Sequence, residues 1–314
     1  MSFNDLMITI KKYKKAYVNY LLILVKMLYK RNESRVSQVF INAKTRDGKM
    51  INLPYGIVDS YAVLKYFENK NLTNVNIVIH KNLLSFKFYN KQVLLDPGRY
   101  SDLYAVFVNE EYKFLRIEGK DVIDIGVNIG DSAIFFSITG AKRVIGLEPY
   151  PYAFSIAEKN VKINSLENIV LLNAGYGRDS KIFVNEDKVS SNSSSLISSP
   201  NGKEIPIISL KTLINQYNLK NAILKMDCEG CEYALLDEDD EIFNVIEMIQ
   251  IEYHYGYDSL VNKLKKVGFD IIYTEPKKSY NPDAENPEMR TGYIYAFMKK
   301  VSDLYDAKAN LVKN

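Results

Sequence analysis

A mainly parallel α/β sheet, led in by a small α+β segment, is the fold the 314-residue sequence predicts. Three observations predict it. From Lys120 onward, short apolar runs alternate with helix-period segments, as parallel strands joined by crossover helices require. One stretch, Asp121 to Glu148, holds a complete β-turn-α-β unit. Before about residue 115 the texture changes to short alternating runs, with turn signals at Asp47-Gly48 and Asp96-Pro97-Gly98.

Residues 1–35 read as one basic amphipathic helix. Its apolar run, Ala16 to Leu28, contains Lys26 and is flanked by Lys11, Lys12, Lys14, Lys15, Lys30 and Arg31. Such a run is too short to cross a hydrocarbon layer of ~30 Å. It suits packing against the domain or a second subunit in a homodimer, or peripheral contact with an anionic membrane through residues 1–31. No small-residue cleavage site follows it, so the expected address is cytoplasmic, with the inner membrane surface as the alternative.

Residues 36–115 form the lead-in, with strands at Val75 to Ile79, Leu84 to Phe88 and Gln92 to Leu95 and a helix at Ser60 to Glu68. Ser101 to Phe107 carries the chain onward. His80, on an alternating strand, is read as structural. The main α/β domain spans 116–302, and 303–314 is a tail. Its strands are expected at Asp121 to Ile125, Arg143 to Leu147, Ile169 to Asn173, Ala222 to Met226 and Met248 to Tyr253. Phe269 to Thr274 and Tyr293 to Met298 should add an antiparallel edge hairpin. Helices are expected near Asp131 to Ile138, Pro151 to Asn164, Glu232 to Glu238 and Tyr257 to Val267. The insertion Gly175 to Ser209, with its serine-rich run Ser190 to Ser195, reads as a solvated loop or a substrate lid.

Composition narrows the function. Forty-one basic against 38 acidic residues give a formal charge of +3, too small to argue for nucleic acid. Cys228 and Cys231 form a C-x-x-C, but no second cysteine pair exists to complete a zinc site. Structural thiols are the expectation, with redox or metal chemistry as alternatives.

Ligands of open α/β sheets sit beyond the carboxyl ends of the strands, so the strand ends enumerate the candidate site. The first gives Asp124, Gly126, Asn128, Gly130 and Asp131; the second gives Glu148 and Pro149. The third gives Asn173 and Ala174, the fourth Asp227, Glu229 and Gly230, and the fifth Glu252 and His254. A carboxylate at Glu148 can accept hydrogen bonds from both hydroxyls of a ribose. The turn lacks G-x-G-x-x-G and carries acids at both ends, which repel a diphosphate. S-adenosylmethionine, cationic and phosphate-free, suits it better than a nicotinamide dinucleotide.

Three segments, DIGVNIGDSAIFF, GLEPYPYAFSIAEKNVKINSLENIVLLNAGYG and ILKMDCEGCEYALL, resemble the FkbM family of S-adenosylmethionine-dependent methyltransferases. The resemblance covers about Lys120 to Ile272; its most particular element is Leu224 to Glu232, and Val127 stands where the family usually has Ala. It implies a class I, Rossmann-like methyltransferase with Asp124 to Gly130 along the methionine part and Glu148 on the ribose. Asn173 and Ala174 fall where enzymes of this fold contact adenine. The expected reaction is O-methylation of a hydroxylated small molecule or glycan. The alternatives are a non-catalytic assembly or membrane-surface protein on the same fold, and an NAD-type oxidoreductase.

A hydroxyl acceptor needs its proton removed or its oxygen acidified. His254 or Asp227 could be the general base. Otherwise Asp227, Glu252 and His254 could hold Mg²⁺ or another divalent cation as a Lewis acid. Glu229 and Glu232 also suit helix capping. Lys225 precedes Asp227 by two, shares its side of the strand, and reads as its salt-bridge partner or a substrate contact.

Overall fold

The computed structural model of the chain describes residues 3–30, 40–67, 78–80, 83–98, 103–185, 198–280 and 288–298. The serine run and the 303–314 tail lie outside the described residues, as does most of the 75–79 strand expectation.

The first 35 residues form two helices instead of one, α1 (Phe3–Ala16) and α2 (Tyr20–Lys30). Asn19 makes the break. Its side chain accepts from the Lys44 N–H (2.7 Å) and donates to the Asn42 carbonyl (3.1 Å), tying the link to a strand backbone. That strand is β1 (Phe40–Lys44), paired antiparallel with β2 (Met50–Pro54); α3 (Tyr55–Phe67) follows. Next come an antiparallel sheet of β3 (Val78–His80), β4 (Leu83–Phe88) and β5 (Lys91–Leu95), and the short α4 (Leu103–Phe107).

The main sheet begins with β6 (Asp121–Ile125), whose five residues are all buried, as a strand covered on both faces requires. After it come α5 (Asp131–Ile138), β7 (Arg143–Leu147), α6 (Pro151–Ile163) and β8 (Ile169–Leu172). The insertion is more ordered than a plain loop: β9 (Gly175–Tyr176), β10 (Ser180–Val184) and β11 (Lys203–Ile208) form a small sheet of their own. A helix absent from the sequence reading, α7 (Leu210–Tyr217), follows, capped by the Ser209 hydroxyl accepting from the Thr212 N–H.

β12 (Ala222–Met226) leads into two 3-10 helices, Cys231–Asp237 and Asp240–Val245, where one α-helix was expected. Then come β13 (Ile246–Tyr253), α8 (Asp258–Lys266), β14 (Phe269–Tyr273), β15 (Lys277–Tyr280) and β16 (Glu288–Met298).

The sheet order is β14-β16-β13-β12-β6-β7-β8. Strands β13, β12, β6, β7 and β8 run parallel, and β16 is antiparallel to both neighbours. The expected hairpin of β14 and β16 forms, but β16 sits inside the sheet and β14 is the edge. The order reverses at β6, flanked by β7 on one side and β12 on the other, which opens a crevice at their carboxyl ends. This is a Rossmann-like α/β fold.

Strand alternation sends Val122, Val144 and Ile223 into the cluster shared with α5 and the lead-in. Ile123, Ile145 and Leu224 enter the opposite cluster with α7 and α8. Among the described residues no helix is long and apolar enough to cross a membrane.

Candidate functional site

The crevice at the switch point is a cleft lined by Gly126, Asn128, Asp131, Glu148, Pro149, Ala174, Lys225, Asp227, Glu229 and Glu252, among others. Gly126 makes it possible. Its φ is +82°, and a Cβ there would lie 1.8 Å from the Asp227 carbonyl oxygen. Only glycine lets the turn after β6 pass the end of β12.

Asp124 does not reach the wall of the cleft. It is fully buried, paired with the Lys225 ammonium (3.0 Å) and accepting from the Ser132 hydroxyl (2.6 Å). Lys225 therefore partners Asp124 rather than Asp227. It also donates to the Gly126 carbonyl (2.8 Å), and Asp124 holds its pKa up against the burial that would lower it. Gly130 too is off the wall: a Cβ at this residue would press on Ala157, so it serves packing of the turn against α6.

Glu148 closes β7. One carboxylate oxygen accepts from the Asn128 N–H (2.8 Å) and the other from the Tyr150 N–H (2.9 Å). Each oxygen keeps a lone pair for a further donor. Burial pushes its pKa up to about 7, although both N–H groups pull the other way. Asn173, expected at the adenine, turns away instead: its amide donates to the Glu148 and Pro149 carbonyls (2.9 and 3.0 Å) and braces that turn. Ala174 does line the cleft.

The turn after β12 gathers the remaining candidates. Glu229 (φ +59°) and Gly230 (φ +122°) bend it sharply, and Cys228 is joined to Cys231 by a disulfide rather than holding two free thiols. Glu232, fully buried, accepts from the Gly230 N–H, the His254 N–H (2.8 Å both) and His254 Nδ1 (3.0 Å). The other ring nitrogen, Nε2, lies 3.4 Å from Glu229 and 3.9 Å from Asp227.

Three donors, Asp227, Glu229 and His254 Nε2, lie within 4.8 Å of one another. Glu229 thus takes the place the sequence reading gave Glu252. Behind them Glu232 holds Nδ1, the arrangement that orients a ligating histidine. A divalent cation fits this donor set.

Without such an ion the electrostatics are those of an imidazolium among acids. Burial opposes charge on His254, but Glu232 first, then Glu229 and Asp227, outweigh it and raise its pKa to about 10. A histidine so clamped is already protonated near neutral pH and has no lone pair with which to act as a general base. Burial lifts Glu229 to about 8, His254 partly offsetting it; burial and then Asp227 lift Glu252 to about 8.

The sequence reading missed Glu111 and Tyr112, which reach the cleft from the loop after α4. No strand end marks them. Among the described residues, six carboxylates line the cleft, Glu111 included, against one ammonium, itself neutralised by Asp124. That balance disfavours a diphosphate cofactor.

Comparison with known proteins gives short matches and one family. A Methanocaldococcus jannaschii protein named as a protein N5-glutamine methyltransferase is 38% identical over 50 residues, 16% of this chain and 25% of its own. A ribosomal protein L11 methyltransferase of Alkaliphilus oremlandii is 43% identical over 54 residues, 17% of each chain. The chain therefore spans a quarter or less of the length of these curated relatives. The crystal structure of M. jannaschii TYW2 in complex with AdoMet is similar at 18% identity and a TM-score of 0.38, over 70% of this chain and 87% of that one. The methyltransferase FkbM domain matches residues 124–285, more than half of the sequence, and the chain belongs to that family.

Proposed function

We propose that this chain is an S-adenosylmethionine-dependent methyltransferase whose acceptor is a hydroxyl of a small molecule or glycan. Family membership supports the reaction class. The observation that carries the donor is Glu148, a buried carboxylate fixed by two backbone N–H groups at the tip of β7 with lone pairs still open to the cleft. A ribose diol satisfies those lone pairs. S-adenosylmethionine, when bound, supplies a methyl carbon activated by its sulfonium. Gly126 leaves bare backbone beside it, and the surrounding carboxylates favour its positive charge.

The acceptor reading rests on the other wall. An alcohol loses its proton as the new C–O bond forms, so it needs an acceptor for that proton within reach. Asp227, which faces the cleft just beyond β12, is the proton acceptor this reading assigns; Glu252, near the end of β13, could serve only above about pH 8, where it ionises. The relatives' names point to a nitrogen acceptor and to a ribosomal protein for those proteins; the oxygen acceptor here rests on the carboxylate wall alone.

A second reading is favoured by the Asp227, Glu229 and His254 donor set with Glu232 behind it. A divalent cation held there would acidify the acceptor hydroxyl as a Lewis acid. His254 would then be neutral, with its proton on Nδ1 toward Glu232. Turnover in chelator, then with Mg²⁺ or Mn²⁺ restored, decides between the two: activity that survives chelation removes the cation.

Calorimetry tests the donor. S-adenosylhomocysteine should bind in about the micromolar range, and NADH should not. Absence of binding by S-adenosylhomocysteine, or tighter binding by NADH, would overturn the reading.

A further inference from the structure

We propose that the outer face of the α1–α2 hairpin docks on an anionic membrane surface. The hairpin already has its partner inside the protein: Tyr13, Ala16, Tyr17, Ile23 and Leu24 are buried in the core it shares with α3 and β1. The opposite face should then be polar, and it is not. Leu21, Leu22 and Val25 are 60%, 72% and 65% exposed, at the i, i+1, i+4 spacing of one helical stripe. Exposed Lys11, Lys14 and Lys15 on α1 and Lys26 on α2 accompany them.

Charge selects the occupant. Residues 1–31 carry six Lys and one Arg against Asp5 alone, while the formal charge of the entire sequence is only +3. The rest is therefore net acidic, and the positive charge is concentrated in the segment that carries the apolar stripe. A second copy docking through the same face would bring these lysines against themselves, since a two-fold interface pairs each patch with its own image. A bilayer with anionic headgroups instead meets both features, taking the leucines into its acyl boundary and the ammonium groups at its surface. This docking is independent of the reaction proposed above.

Sedimentation of the full-length protein with vesicles tests it. Vesicles of phosphatidylcholine with phosphatidylserine should carry the protein down, phosphatidylcholine alone should not, and added salt should release it. Replacing Leu21, Leu22 and Val25 together with Ser should lower partitioning about tenfold or more. A separate variant, Lys11→Glu with Lys14→Glu, should lose the preference for phosphatidylserine. An unchanged circular-dichroism spectrum and melting temperature show that each variant is folded. A wild-type protein left in the supernatant at low salt would overturn the proposal, as would either folded variant sedimenting like the wild type. Light scattering that finds a dimer dispersed by the triple variant would overturn it in favour of a second copy.

Discussion

Val127 and Gly146 show how a single departure from the family turn is accommodated. Val127 is completely buried, and its side chain occupies the room Gly146 leaves. A Cβ on Gly146 would lie 2.5 Å from Val127 Cγ2 and 3.0 Å from Leu171 Cδ2. Gly146→Ala should therefore cost ~1–3 kcal/mol by overpacking. Val127→Ala in the same chain should recover most of it, as a urea double-mutant cycle would show. Additive losses would mean the two side chains do not share this space. Glu148 yields a second residue-scale prediction. With a pKa of about 7 it is protonated below that pH and then loses acceptor capacity for the ribose. Affinity for S-adenosylhomocysteine should fall as pH drops from about 8 to about 6, and Glu148→Gln should flatten that dependence while weakening binding about tenfold. The position of Glu148 at the cleft was legible because a carboxylate at a strand tip is visible in one dimension. It could not mark Asp124 as buried, since its partner Lys225 lies 101 positions away and meets it only through the pairing of β6 with β12.

At the scale of elements, strands were legible and irregular turns were not. The parallel strands are continuous apolar runs bounded by turn residues, and β6, β7 and β12 fall on the residues the pattern gave. α1 and α2 were read as one helix because their break is made by Asn19 bonding to β1, a tertiary contact without a local signal. α5 carried an unread clue: Ala133 to Phe136 are apolar on every side, and a helix like that must be covered. The cover is the lead-in, with Phe88, Phe107 and Tyr112 against Phe135. The carboxyl end of β13 is the place where function opposes stability. Glu252 has its pKa raised from an ordinary 4.5 to about 8, by burial and then by Asp227. Its contribution to folding is therefore fully favourable below the unfolded value and is lost as pH rises through about 8. Glu252→Gln should raise stability by ~1–2 kcal/mol at about pH 9 and change little near pH 5. Thermal melts at the two pH values check this. A variant less stable than wild type at the higher pH would mean that the ionised carboxylate is held by favourable contacts.

On the scale of the molecule, the sequence divides at about residue 115, whereas the core does not. One apolar cluster runs from Tyr13 and Ile23 through Leu84, Phe86 and Phe107 to Phe136, Val144 and Ile156. Polar ties cross the same line. Asn164 accepts from the Leu94 N–H (2.9 Å) and Asn160 from the Asp96 N–H (2.8 Å), while Lys159 pairs with Asp96 at 2.7 Å. The texture that separated a 36–115 lead-in from a 116–302 domain reports local strand type, and packing between the two is invisible to it. Cooperative units follow shared burial, so the two halves should unfold together. Hydrogen exchange followed across a urea series should give β4–β5 and β6–β7 the same midpoint. Removing the first 115 residues should leave a fragment that aggregates, because it uncovers Phe135 and Phe136 along the whole of α5. Separate midpoints, together with a soluble fragment that still binds S-adenosylhomocysteine, would establish the lead-in as a domain of its own and restore the boundary that the sequence drew.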